Sequence, residues 1–148
     1  MKETHRSLIL SRAITIFLLV LVGACLIFLP SIMEHYFLYR QMPMKLLPPL
    51  LIFCYICAVV AVGALLFLLW LLCRIAGGFL FDRKNVALLG WLSLCCILIS
   101  IITAVAAVWY FPCVIIAFAA GFLFLILRVV RNVFAAAVEI KTENDMTI

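Results

Sequence analysis

The run from Leu50 to Cys73, LLIFCYICAVVAVGALLFLLWLLC, is twenty-four residues without a charge, bounded by Pro48-Pro49 on one side and Arg74 on the other. As a helix it is about 36 Å long, enough to cross a hydrocarbon core of about 30 Å. In water such a helix exposes apolar side chains on every side. In lipid it satisfies its own backbone, and its side chains cost nothing. The rest of the chain has to be compatible with this element, and three further stretches resemble it.

Ala13 to Met33 carries no charge, nor does any residue from Asn85 to Leu127. The second of these is about 65 Å of helix, too long for one crossing and right for two. The break is expected at Trp109-Tyr110-Phe111-Pro112, where aromatic residues that favour the interface meet a proline. Four spans follow, at about 13–33, 50–73, 86–108 and 112–134, with a first loop from Glu34 to Pro49, a second loop at 74–85 and a tail at 135–148. Of 148 residues 70% are hydrophobic, more than a soluble domain of this size can hide. The expected fold class is therefore an all-α integral membrane protein, a single membrane domain with four transmembrane helices.

Orientation follows from the basic residues. Lys2, Arg6, Arg12, Arg74, Arg83, Lys84, Arg128, Arg131 and Lys141 fall in the head, the second loop and the tail, against only Arg40 and Lys45 on the other side. Nine against two places both termini in the cytoplasm of a cell membrane by the positive-inside rule. The basic head followed by an apolar run also has the shape of a signal peptide, and Val22-Gly23-Ala24-Cys25 resembles a lipoprotein cleavage box. The run continues past Cys25 through Leu26-Ile27-Phe28-Leu29, as an uncleaved span does. Within the second loop, Gly77-Gly78 suits a helix end and Asp82 suits the cap of the next helix. Beyond Arg128 the helical rhythm persists. Arg128 and Arg131 share one face, and Val130, Phe134 and Val138 share another, so the fourth helix is expected to leave the bilayer as an amphipathic extension.

Chemistry is sparse. The seven cysteines (Cys25, Cys54, Cys57, Cys73, Cys95, Cys96, Cys113) lie almost all within apolar runs, where Cys serves as a small packing residue. His5 and His35 are isolated, and Glu139, Glu143, Asn144 and Asp145 lack the glycine and alternation of a calcium loop. No catalytic, cofactor or metal site is expected, and the chain reads as a non-enzyme. No span has an ionisable residue near its centre, which argues against ion or proton transport. A transport reading rests on Ser93, Ser100 and Thr103 along the third helix. A passive packing or immunity role rests on Cys113, Ala117 and Gly121, small residues at four-residue spacing that let a second backbone approach, within the bundle or in a homo-oligomer.

Two stretches, FLFDRKNVALLGWLSL (Phe79 to Leu94) and RVVRNVFAAAVEIKTENDMTI (Arg128 to Ile148), resemble a bacterial membrane family known as domain of unknown function 2975. Asn85, a few residues after a Phe, and the closing Glu143-Asn144-Asp145-Met146-Thr147-Ile148 carry the likeness. Leu-Phe-Asp stands here where Pro-Phe-Thr is more usual in the family. The resemblance implies four spans and no established activity. It also implies, by analogy, a partner among the small helix-turn-helix regulators often encoded beside such proteins. Combined with the polarity of the expected inner face, this nominates a docking surface of Phe79, Phe81, Asp82, Asn85, Arg128, Arg131, Glu139, Glu143, Asn144 and Asp145. Direct nucleic-acid binding is not expected, because no dense basic run is present.

Overall fold

The computed structural model describes residues 2–147; Met1 and Ile148, the last residue of the expected tail, lie outside them. Four α-helices follow one another: α1 (Lys2–Tyr39), α2 (Leu47–Ala76), α3 (Arg83–Ala106) and α4 (Cys113–Thr147), with one turn of 3-10 helix at Met44–Leu46 ahead of α2. All four are long and apolar enough to cross a membrane. Each packs on its sequence neighbour, and α3 with α4 forms the most extensive contact. Their outer faces are bare: Phe17, Phe28, Val59, Phe118 and Leu125 are among many large apolar residues left exposed. That arrangement is stable only where lipid supplies the missing contacts.

The helices extend further than the apolar runs. The stretch Glu34 to Pro49, expected as loop, is mostly helical: α1 continues to Tyr39, and Pro48 and Pro49 sit in the first turn of α2. Proline is tolerated there because the first amides of a helix have no intrahelical acceptor anyway. The true connection is short. Gln41 adopts φ 52°, Met42 N–H bonds Phe37 O at 3.0 Å and Gln41 N–H bonds Leu38 O at 3.2 Å. This is a Schellman ending with a glutamine in the left-handed position that glycine usually fills. α2 ends in the same way through Gly78, at φ 87°, with Phe79 N–H bonded to Arg74 O at 3.2 Å.

Two small cores hold the ends of the bundle. Phe37, Leu50 and Ala106 are buried together with Tyr110 and Cys113 against them. At the other end Leu71, Leu88 and Leu89 are buried against Leu127, Val130 and Phe134. Along α4 the inward positions are Cys113, Ala117, Ala120, Phe124, Leu127, Arg131, Phe134 and Val138, all buried or half-buried. They recur in steps of four and three, the spacing of a coiled-coil seam. The seam is narrow where it is made of small residues: Ser100 Oγ donates to Ala117 O at 2.7 Å, and a Cβ at Gly121 would stand 3.2 Å from that hydroxyl.

The interior of α1 contains Pro30. Proline has no N–H, so the carbonyl four residues earlier, Leu26 O, loses its helical donor. Tyr55 of α2 supplies the replacement, its hydroxyl donating to Leu26 O at 3.3 Å. Tyr55→Phe is expected to destabilise the bundle by about 0.5–1 kcal/mol. In a Pro30→Ala background, where a restored N–H takes the same carbonyl, the loss should largely vanish. Reversible unfolding in mixed micelles, run as a double-mutant cycle, measures the coupling, and equal losses in both backgrounds would refute the pairing.

Candidate functional site

Polar side-chain chemistry concentrates where α2 hands over to α3. Arg74, in the last turn of α2, reaches across the connection. Its Nε donates to Asn85 Oδ1 at 3.0 Å and its Nη2 to Asp82 Oδ2. Asn85 Nδ2 in turn donates to Phe79 O and, at 3.0 Å, to Leu80 O. Asp82 is the N-cap of α3, with Oδ1 accepting from Lys84 N–H at 3.4 Å. The Phe79 ring lies under the Arg74 guanidinium, 5.7 Å from ring centre to Cζ. Arg74–Asp82 is the one ion pair among the described residues.

Asn85 is 0% exposed and uses both amide hydrogens and its oxygen within the protein. It therefore shapes the surface and does not present itself to a partner. The other nominated residues divide into three groups. Phe79 is exposed, and Phe81 leans on Phe134 of α4 with ring centres 6.3 Å apart, tying the connection to the fourth helix. Arg128 is exposed over the Phe124 ring, whereas Arg131 turns inward and lies on Gly90, where a Cβ would be 3.1 Å from Arg131 Nε. Arg131 thus belongs to the same inward seam as Phe134 and Val138. Glu139, Glu143, Asn144 and Asp145 are exposed on the last turns of α4.

Trp70 and Trp91 line one hollow with Arg74 and Lys84, which places both tryptophans at the level of this connection. A second aromatic group, Tyr36, Phe53, Trp109 and Tyr110, marks the opposite end; the Tyr36 and Tyr110 hydroxyls are hydrogen-bonded to each other. Aromatic residues at both ends of an apolar bundle fit two membrane interfaces.

The remaining candidates are placed as follows. Ser93 Oγ donates to Gly90 O at 2.8 Å, and Thr103 Oγ1 to Ile99 O at 2.7 Å, so with Ser100 on Ala117 O every hydroxyl of the α3 stripe is engaged with a carbonyl. Cys113, Ala117 and Gly121 pack within the bundle. All seven cysteines are free, and among the described residues no group of three His, Cys, Asp or Glu is gathered in metal-binding geometry.

The chain matches the family model described as protein of unknown function DUF2975 over residues 9–148. It belongs to that family. No curated protein and no solved structure matches it. In this DUF2975 member Asn85 is the centre of the knot that closes the α2–α3 connection. The position of Asn85 in the chain points to the loop but not to burial of the side chain. An amide is equally suited to an exposed loop, and only the approach of Arg74 from the preceding helix decides between the two.

Asn85→Leu is expected to free residues 77–82 and to cost about 1–3 kcal/mol, the usual penalty for leaving buried polar groups unpaired. Asn85→Asp should do no better: it keeps the acceptor for Arg74 but sets a carboxylate against two carbonyl oxygens. Hydrogen exchange of the Phe79–Lys84 amides in nanodiscs reads this directly. Unchanged protection in Asn85→Asp would show that the amide hydrogens do not hold the loop.

Proposed function

We propose that this chain is a non-enzymatic protein of the cell membrane, with both termini cytoplasmic, that offers its loop end and the end of α4 as a docking platform for a soluble protein. The observation that carries the reading is the unbroken course of α4 to Thr147. At 35 residues it is about 52 Å long, roughly 20 Å more than a hydrocarbon core requires. Phe134 against Leu71, Leu88 and Leu89, and the buried Val138, fix the root of that extension to the bundle. Everything from Glu139 to Thr147 is exposed, including Ile140 and Met146. A helix presenting isolated apolar anchors among Glu139, Lys141, Glu143 and Asp145 suits a groove on a soluble partner. The family likeness nominates a small helix-turn-helix regulator for that role. The excess of basic residues at this end supports the cytoplasmic orientation.

Other readings gain less. The hydroxyls of Ser93, Ser100 and Thr103 already serve carbonyls, which leaves no row of free polar groups to support transport. Cys113, Ala117 and Gly121 are used inside the bundle, which lessens the case for a surface that packs on another membrane protein.

Deleting residues 139–148 should abolish capture of the regulator in a membrane pull-down, and Ile140→Glu with Met146→Glu should reduce it at least tenfold while leaving the bundle folded. Undiminished capture by both variants would reject the role of the α4 extension.

A further inference from the structure

Arg131 breaks the rule of its own surroundings. It occupies an inward position of the α4 seam between Leu127 and Phe134, where every other residue is apolar. Its Nε is shielded from water and has no hydrogen-bond partner among the described residues. The contact with α3 is close because Gly90 has no side chain; a Cβ there would stand 3.1 Å from Nε. A guanidinium carries five donors; with Nε shielded against Gly90, the terminal Nη groups are those left to meet an anion in the groove that Arg131 lines.

The space beside it has the chemistry to receive one. A groove of about 380 Å³ opens between α3 and α4, lined by Gly90, Trp91, Ser93, Phe124, Arg128 and Arg131. Two arginines face it and no acidic residue does. Glu139 lines a neighbouring groove instead, together with Arg83 and Val138; the two grooves share Ala87 and Arg131. Arg128 and Arg131 are the first charges on α4 after the apolar run, so the groove sits where hydrocarbon gives way to headgroups, at the level of Trp91.

We infer that the Arg128–Arg131 groove binds the phosphate of an anionic phospholipid headgroup, with the acyl chains lying along the bare outer faces of α3 and α4. Arg131 meets the phosphate from below on the floor left by Gly90. Arg128, held over Phe124, closes on it from the outside. Paired guanidinium donors in a partly dry site suit phosphate oxygens better than a zwitterionic headgroup, whose ammonium the arginines repel. This site is independent of the docking role, because it needs no soluble partner and no particular orientation.

The test uses the full chain with Trp70→Phe and Trp109→Phe, which leaves Trp91 as the sole one of its three tryptophans. It is reconstituted in phosphatidylcholine vesicles holding a small fraction of brominated phosphatidylglycerol or, in parallel, brominated phosphatidylcholine. Brominated phosphatidylglycerol should quench Trp91 more strongly, and Arg131→Gln and Arg128→Gln should each weaken the preference about fivefold. Lys141→Gln, which removes one charge from the exposed end of the same helix, should leave it unchanged. Arg128 is exposed, so its variant reports on binding even if Arg131→Gln disturbs packing. Equal quenching by the two lipids, or a loss in Arg128→Gln no greater than in Lys141→Gln, would overturn the site in favour of a diffuse surface field. Loss of the preference in millimolar inorganic phosphate would assign the groove to a free anion and overturn the lipid.

Discussion

In a hydrocarbon layer a carbonyl oxygen has no water to turn to, and that single constraint organises this molecule. Where Pro30 interrupts the helical ladder, and where Thr15, Ser93, Ser100 and Thr103 enter the spans, a partner is found within hydrogen-bond distance. Pro30 strips Leu26 O of its donor, and Tyr55 replaces it from the next helix. Thr15 and Thr103 return their hydroxyls to the preceding turn, while Ser100 spends its own across the α3–α4 seam. The C-terminal ends of α1 and α2 close through Schellman bonds before the chain turns, and that of α3 through the bonds of Trp109 and Tyr110 N–H to Ala106 O. The apolar side chains face the opposite requirement. Lipid is as good a neighbour as protein, so the bundle does not need to bury them.

What remains polar is driven to the ends, and the two ends are unlike. One is closed by aromatic packing around Phe37 and the Tyr36–Tyr110 pair. The other carries the knot of Arg74, Asp82 and Asn85, the arginines of α4 and the projecting last turns. The Arg74–Asp82 pair is only partly buried, whereas Asn85 is wholly so, and the buried amide satisfies two loop carbonyls at once. Phe81 on Phe134 then couples the connection to α4, so that loop and extension form one surface. Arg131 stands apart from this pattern of satisfied groups, and the phosphate proposed for its groove is the partner that the protein itself does not supply.

The large features of this architecture were legible because they are local. An uncharged run long enough to span is visible in the chain itself, as are the aromatic-proline break before α4, the glycine pair that ends α2 and the aspartate that caps α3. Other features depend on which helices meet. Pro30 and Tyr55 are unremarked residues until α1 and α2 are laid side by side. Asn85 belongs to the family likeness, yet its burial needs Arg74. The helical rhythm assigns Arg131 to the face of Arg128 and away from Phe134 and Val138; its contact with Gly90 places it on their inward seam instead, because which helices meet is not written in the spacing. The first loop was overestimated for a different reason: prolines that exclude a helix interior are acceptable in its first turn.

The most direct measurement of the account is a map of the adducts left on α4 by a membrane-soluble diazirine reagent in proteoliposomes. The account predicts labelling of the outward residues Ile115, Phe118, Phe122 and Leu125, sparing of Ala117 and Ala120 on the seam, and a fall to background from Glu139 onward. Labelling of the seam residues equal to that of Phe118 and Phe122, or adducts as dense beyond Glu139 as before Arg128, would contradict it.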